Sequence, residues 1–180
     1  MTLLLMLIQC LVLFLLILVI LPKEYHIVRS INVEKPRETV FNFLRFFKQH
    51  HIWSPCATHD PSLIETFYGQ DGEVGIVRQW KGNRKYGEGE MEFTKVVEGE
   101  RIEGVIHFKR PFRAIADFRF NFQDTDKNET KIEWEMSGIK PIPMLLGSLF
   151  LSMDRIVGKD FEEGLTRIKE VMETGEYDLT

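Results

Sequence analysis

Carboxylates that could catalyse proton transfer alternate along two short stretches of the sequence. Glu88, Glu90 and Glu92 occupy every second position of one stretch, and Glu133 and Glu135 of another. Paired carboxylates act as acid and base when burial separates their pKa values. Apolar residues stand between them in both stretches, so the pattern favours the solvated face of an antiparallel sheet.

Histidines and an aspartate form a second candidate group, made of His50, His51, His59 and Asp60. Zinc needs three or four converging ligands, whereas adjacent residues of a helix point in different directions. Cys56 is a lone thiol beside a proline, without a base that the sequence identifies. No Ser/His/Asp or Cys/His arrangement stands at the inward positions. The sequence therefore predicts no catalytic residue, no metal and no cofactor.

Large apolar side chains form the strongest candidate for a functional site. Most of them recur at every second position of predicted strands and point to one side. Apolar pockets are lined in this way, with a few polar groups that fix the orientation of the ligand. A core filled by the same side chains is the alternative. The predicted ligand-binding residues are Trp53, Trp80, Met91, Phe93, Phe108, Phe118, Phe120, Trp134 and Phe161.

Three further features carry two interpretations each. Gly87 and Gly89 on the inward face leave room for a ligand, or they let the sheet bend. Gly158 and Gly164 in the last helix permit close approach to a ligand or a hinge, or they permit tight packing on the sheet. The apolar run Met144–Leu151 is a gate that dips into a bilayer, or a helix turn buried at the sheet rim.

The elements that position these residues follow from composition and periodicity. The chain has 180 residues, of which 44% are hydrophobic and 28% charged, which excludes a disordered chain. Period-two alternation predicts a strand at Tyr25–Glu34 and six more from Leu63. Helical spacing predicts a helix from Pro36 to about Phe47, a short one with Trp53, and a long one at Met144–Thr174. The predicted fold class is α+β, one curved antiparallel sheet of about seven strands around the long C-terminal helix.

The first residues differ from the rest. Leu3–Leu21 is apolar except for Gln9, and all 23 Lys and Arg and all 27 Asp and Glu lie after Pro22. About 20 apolar residues cross the hydrocarbon core of a bilayer as a helix. A cleaved signal peptide would need a positive start and a small-residue cleavage site, and both are lacking. The sequence predicts a transmembrane anchor in residues 1–22, inserted through residues 3–21, and a folded domain in residues 23–180.

Charge indicates where the domain lies and what it does not bind. No Lys or Arg precedes the apolar run, whereas Lys23, Arg29, Lys35 and Arg37 follow it closely. The positive-inside bias therefore predicts a single-pass membrane protein with its domain on the cytoplasmic side. The net charge of −4 belongs wholly to the domain and argues against nucleic acid as a partner. Protein partners and oligomeric state stay open.

The residues at the joints between the predicted elements are Arg29-Ser30-Ile31, Pro36, Val40-Phe41, Trp53-Ser54-Pro55, Gly75, Trp80-Lys81-Gly82, Gly87-x-Gly89, Pro111-Phe112, Thr130, Trp134, Asp154, Gly158, Asp160-Phe161-x-x-Gly164-Leu165 and Lys169. These residues and the order of the elements, over about residues 24–173, resemble the START-like, or SRPBCC, superfamily. Within it, the chain resembles bacterial polyketide cyclase/dehydrase-like proteins, many of which carry an N-terminal anchor.

The resemblance implies a helix-grip (START/Bet v 1-like) fold with an apolar tunnel between the sheet and the C-terminal helix. Relatives bind lipids, sterols, polyketides or hormones there, and a minority catalyse cyclisation or dehydration with no shared catalytic set. Cys56 departs from the pattern, because the family often has an aromatic residue after Ser-Pro.

The sequence is compatible with three functions. The leading prediction is a membrane-tethered protein that binds an apolar small molecule, such as a lipid, isoprenoid or polyketide-like compound. The alternative is a cyclase or dehydrase, with His26, Arg29 and Tyr86 as acid–base candidates. A protein-interaction module whose cavity is incidental is the third.

Overall fold

The structure, a computed structural model, describes residues 2–147 and 152–175 of the chain. The strands are β1 (Glu24–Val33), β2 (Ile64–Tyr68), β3 (Val77–Lys81), β4 (Glu88–Val97), β5 (Arg101–Arg110), β6 (Ala114–Asp126) and β7 (Glu129–Ile139). The helices are α1 (Thr2–Ile20), α2 (Arg37–Arg45), α3 (His50–Trp53), α4 (Pro55–His59), α5 (Ile142–Gly147) and α6 (Met153–Thr174), with a 3₁₀ turn at Phe47–Gln49.

The seven strands form one antiparallel sheet in the order β1-β7-β6-β5-β4-β3-β2. Strands β2 to β7 are neighbours in chain order, joined by connections of two to eight residues, and β1 completes the sheet by pairing with β7. The chain between β1 and β2 therefore crosses one side of the sheet, where it forms α2, the 3₁₀ turn, α3 and α4. The predicted α+β class with a seven-stranded antiparallel sheet is confirmed.

Alternation along each strand divides the sheet into an inner face, under the helices, and an outer face. In β6, Phe118, Phe120 and Phe122 are buried, whereas Asp117 and Arg119, the neighbours of Phe118, are exposed. Successive side chains of a strand point to opposite sides, so one strand supplies both faces. The predicted inward direction of these phenylalanines is what the sheet shows.

Helix α6 lies along the inner face beside β1 and supplies a buried apolar stripe. Phe161, Leu165, Ile168 and Met172 recur at spacings of three and four and are at most 3% exposed. The helix ends at Gly175, whose left-handed backbone lets its N–H donate to the Val171 carbonyl. The hydrophobic core that results has all its described members between Ile27 and Met172.

Two boundaries differ from those the sequence predicts. The single short helix predicted around Trp53 is two helices, α3 and α4, and Pro55 begins the second, because the first turn of a helix needs no N–H from that residue. The predicted helix Met144–Thr174 is two helices, α5 and α6, in the described residues. Residues 148–151, half of the proposed gate, lie outside the described residues.

Helix α1 contains 19 residues and no charged one. The described apolar side chains on it are exposed: Leu4, Leu5, Met6, Leu7, Ile8, Val12, Leu13, Leu16 and Ile20. Within residues 2–147 and 152–175, no helix combines the length and the apolarity of a membrane span. The anchor over residues 3–21 therefore stays a prediction from the sequence.

Candidate functional site

One end of the inner face is sealed by the helices above it. Phe41 of α2 contacts Phe122 edge-on at 5.4 Å between ring centroids, and Phe47 of the 3₁₀ turn lies 4.1 Å from Phe93. Trp53 of α3 meets Phe120 edge-on at 6.1 Å. We call this region the sealed end; its sheet residues are at most 3% exposed and are Val33, Phe93, Ile102, Phe120, Phe122 and Ile132.

The other end of the inner face is less completely covered. Tyr25, Met91 and Phe108, which we call the open end, are only half-buried although they point inward. Tyr25 lies where β1 begins, Met91 in the first half of β4 and Phe108 near the end of β5, in register with Gly138, Ile106 and Ala114 respectively. An apolar surface that stays partly accessible between a sheet and a helix is where an apolar ligand could lie.

An aromatic column crosses the middle of the domain from the sheet to α6. Trp134 of β7 stacks on Phe161 of α6, with 3.8 Å between ring centroids and an angle of 5°. Phe120 stacks on the same indole at 5.0 Å, and Trp53 meets it edge-on at 5.5 Å. The structure thus brings four of the predicted ligand-binding residues into mutual contact.

The other predicted residues flank this column. Phe118 lies beside Phe93 and Phe120, at centroid distances of 6.1 and 6.3 Å. Trp80 meets Phe108 edge-on at 6.0 Å, and Met91 packs against the core as a half-buried residue. All nine predicted residues therefore belong to one apolar interior, and their role in binding stays a prediction.

Glycines of the inner face are covered by large side chains. A Cβ added at Gly89 would collide with the Trp80 ring, and one at Gly104 with the Phe118 ring. A Cβ on Gly164 of α6 would lie 3.1 Å from the Trp134 ring. The room that Gly89 leaves is therefore taken by an indole, so a ligand at this position would have to displace it.

Polar groups also point inward, which residue type alone did not predict. Arg78 of β3 is 5% exposed, and its Nε donates to the Glu65 carboxylate of β2 at 2.5 Å. Its guanidinium lies 5.9 Å from the centroid of the Trp80 ring. The signal was available in the sequence, because Arg78 stands two positions before Trp80 and must share its face.

Burial shifts the pKa values of two side chains, one on α3 and one on α4. Burial, together with the charge of Arg78, lowers the pKa of His50 to about 3. His50 is therefore neutral, and its Nε2 donates to the Leu44 carbonyl at 3.1 Å. Burial raises the pKa of the Cys56 thiol to about 11, so this cysteine is a poor nucleophile at neutral pH.

The Trp53 indole carries an unpaired donor. Its Nε1 is buried and has no hydrogen-bond partner among the described residues. Leaving a buried donor unpaired costs about 1–3 kcal/mol. An oxygen on a bound molecule could accept from this N–H.

Two polar clusters hold α6 against the rest of the domain. On the β1 side, Arg29 donates to Asp154 at 3.0 Å and to Glu162 at 2.6 Å, and both hydrogen bonds raise its pKa. A Cβ on Gly158 would collide with the same guanidinium, so this glycine makes room for an arginine.

On the far side of α6, a chain of hydrogen bonds runs from the β3–β4 loop through α4. Lys85 Nζ donates to the Tyr86 hydroxyl at 2.8 Å, and that hydroxyl lies 3.0 Å from His59 Nδ1. His59 Nε2 lies 2.9 Å from the Glu163 carboxylate of α6. These four side chains join the β3–β4 loop, α4 and α6.

The acid–base candidates from the sequence do not form one site. His26 lies on the outer face beside Glu135, Arg29 is paired with α6, and Tyr86 belongs to the β3–β4 loop. Among the described residues, no three His, Cys, Asp or Glu side chains are placed to hold a metal ion.

Two cavities stand out among the described residues, with volumes of about 730 and 640 Å³. Outer-face side chains such as His26, Glu103 and Arg119 line the larger one, and His107 and Lys109 line the smaller one. Neither lies between the sheet and α6, where the rings of Trp53, Phe120, Trp134 and Phe161 pack against one another.

Comparison with solved structures identifies the fold. The Aha1 dimer from Colwellia psychrerythraea is similar with a TM-score of 0.60 at 13% identity, covering 85% of this chain and 99% of that one. XoxI from Bacillus cereus gives 0.60 at 14% over the same shares, and Ara h 8.0201 gives 0.58 at 10%, covering 84% and 99%. No protein-family model and no curated protein matches the sequence. The similarity establishes the helix-grip fold.

Proposed function

We propose that this chain is a membrane-attached binding protein that holds an apolar small molecule between the sheet and α6. The observation that carries the proposal is the open end, where Tyr25, Met91 and Phe108 point inward and yet stay half-exposed. The resemblance to START-like proteins, whose members bind apolar molecules in this position, supports the same assignment.

The interior indicates what kind of ligand fits. Aromatic faces and the thioether of Met91 suit rings or unsaturated chains, because sulfur and π-systems are polarizable. The unpaired Trp53 N–H lies deeper than the open end, edge-on to Trp134, so a ligand that reaches past Trp134 would gain a hydrogen bond by carrying one oxygen acceptor, such as a carbonyl or hydroxyl group. A lipid or isoprenoid with one polar group therefore fits better than a pure hydrocarbon.

Attachment to a membrane is the second part of the proposal. It is supported by the uncharged sequence of residues 3–21 and by the exposed apolar side chains of α1. In water, exposing so many large apolar side chains on one helix is unfavourable, and a bilayer removes that cost. Cytoplasmic placement of the domain follows from the lysines and arginines after Pro22.

The proposal is tested by native mass spectrometry and lipid extraction of residues 23–180, purified without detergent from the native host. The core lies wholly between Ile27 and Met172 among the described residues, so this fragment retains it. We expect a co-purified apolar molecule in about stoichiometric amount. A folded but empty domain that also fails to take up a fluorescent fatty acid would contradict the proposal.

A further inference from the structure

Charge is distributed unequally between the two ends of the sheet. The end of the sheet that is next to α1, which we call the basic end, consists of residues 22–24, 81–90, 109–115 and 138–142. Strand register brings these segments together, because Glu24 pairs with Ile139 and Glu88 pairs with both Lys81 and Arg110. This basic end has three carboxylates, Glu24, Glu88 and Glu90, against eight cations: Lys23, Lys81, Arg84, Lys85, Lys109, Arg110, Arg113 and Lys140.

The opposite end has the reverse charge. Its turns, residues 34–35, 69–75, 98–100 and 124–129, have two lysines, Lys35 and Lys127. Arg45 and Arg37 from α2 offset part of the negative charge through ion pairs at 3.1–3.3 Å. The eight carboxylates of this acidic end are Glu34, Asp71, Glu73, Glu98, Glu100, Asp124, Asp126 and Glu129.

Exposed apolar side chains stand among the cations of the basic end. Phe112, at the tip of the β5–β6 turn, is 41% exposed. Ile115, Ile139 and Ile142 are 59–65% exposed and surround the point where β7 leads into α5. Lysines and arginines next to exposed apolar tips are typical of surfaces that bind anionic bilayers.

We propose that the basic end docks on an anionic lipid surface, with Phe112 and Ile142 inserted among the headgroups. Electrostatic attraction orients the domain, because the basic end faces the lipid phosphates while the acidic end faces away. The surface is also continuous with α1. Lys140 donates through Nζ to the Pro22 carbonyl at 3.0 Å and through its backbone N–H to the Lys23 carbonyl at 2.8 Å.

This docking surface goes beyond ligand binding and does not depend on it. It would place the open end, whose Phe108 lies one residue before Lys109, against the bilayer. An apolar molecule could then pass between lipid and protein without crossing water. The carboxylates nearest the cations are already paired, Glu90 with Lys109 and Glu88 with Arg110, at 2.5 and 3.5 Å.

The test uses the full chain with Cys10 and Cys56 replaced by serine and one nitroxide label at Phe112→Cys, Ile142→Cys or Lys127→Cys. Each protein is reconstituted into vesicles of phosphatidylcholine, alone or mixed with phosphatidylglycerol. Collision with oxygen, which concentrates in lipid, is compared with collision with a water-soluble nickel chelate. We expect labels at positions 112 and 142 to be lipid-accessible in anionic vesicles, and the label at position 127 to be in water.

Charge reversal supplies the matched comparison. The double substitution Arg110→Glu and Arg113→Glu reverses two positive charges of the basic end. The labels at positions 112 and 142 should then be in water. Lys95→Glu with Lys127→Glu changes the net charge equally at exposed positions outside the basic end and should leave them in lipid. Salt at about 1 M, where the Debye length is about 3 Å, should weaken docking in the unchanged protein.

Labels that stay in water in anionic vesicles would overturn the proposal. Magnetic broadening between labels of two chains would also overturn it, because a second copy would then cover the surface. Attachment through α1 is measured separately by flotation with neutral vesicles, and ligand binding by mass spectrometry. A failure of attachment or of ligand binding would therefore be seen in its own measurement and would not be confused with a failure of docking.

Discussion

The sealed end and the open end of the inner face are built by the same strands and differ in what covers them. At the sealed end, Phe93 and Phe120 lie beneath the 3₁₀ turn and α3 and are 0–2% exposed. At the open end, Met91 on the same strand as Phe93 is half-exposed. Strand alternation decides only which side a residue faces, and the helices decide how deeply it is buried. We infer that the sealed end stabilises the fold and that the open end is free to bind.

The largest expected effect compares one phenylalanine from each end. Phe93→Ala removes a fully buried ring in contact with Phe47 and Phe118 and should cost about 3–5 kcal/mol of unfolding free energy. Phe108→Ala removes a half-buried ring and should cost about 1–2 kcal/mol, because folding removes less of the apolar area of this ring from water. Urea denaturation of residues 23–180 measures both.

Equal costs for the two substitutions would remove the distinction between the ends. A larger cost at Phe108 would reverse it, and the open end would then be part of the stabilising core rather than a binding surface.

Acid should act on the sealed end through His50. Its pKa in the folded protein, about 3, lies below the ordinary value of 6.5, so the unfolded chain takes up the proton first. The stabilisation is complete above about pH 6.5 and is lost as pH falls towards 3, at about 1.4 kcal/mol per pH unit. Between pH 6.5 and 5 the loss should be about 2 kcal/mol.

His50→Gln is the matched variant, because its amide can still donate to the Leu44 carbonyl but does not titrate. Unfolding free energy measured against pH should fall less steeply for His50→Gln than for the unchanged protein over this range. Parallel curves would show that His50 is protonated without disturbing the sealed end.

A smaller and local effect is expected where Arg29 holds the first half of α6. Arg29→Met keeps the apolar stem and removes the hydrogen bonds to Asp154 and Glu162. Amide hydrogen exchange in residues 154–161 should become faster, while exchange in residues 165–172, above the apolar stripe, should not change.

The control is Arg167→Met, which removes an ion pair with Glu163 inside α6. If both variants speed exchange over the same residues, Arg29 has no particular role in holding the first half of α6 against β1.

Most of what could be predicted from the sequence came from strand parity, the alternation of inward and outward residues along each strand. Alternation gave the α+β class, the seven strands and the inward direction of Phe118 and Phe120. Parity also places Arg29 and Arg78 on the inner face, although their charge obscures this. Their ion pairs with α6 and β2 join residues far apart in the chain, and local periodicity contains no information about such partners.

The sequence also could not predict whether side chains or a ligand fill the interior. Gly89 indicates a missing side chain, but whether a ligand or the Trp80 ring occupies the space depends on the rotamer of that tryptophan. How deeply Phe93 and Phe108 are buried likewise depends on where the helices between β1 and β2 cross the sheet. That position is set by tertiary packing and not by local sequence.

The most direct test of the central claim compares Met91→Trp with Glu92→Trp. Met91 points into the open end, and its neighbour Glu92 points to the outer face, so the pair adds the same indole on opposite sides of β4. Native mass spectrometry of residues 23–180 then gives the bound fraction of the co-purified apolar molecule. The account predicts that Met91→Trp loses it and Glu92→Trp retains it, with both proteins folded. Equal occupancy in the two variants would contradict an apolar binding site at the open end.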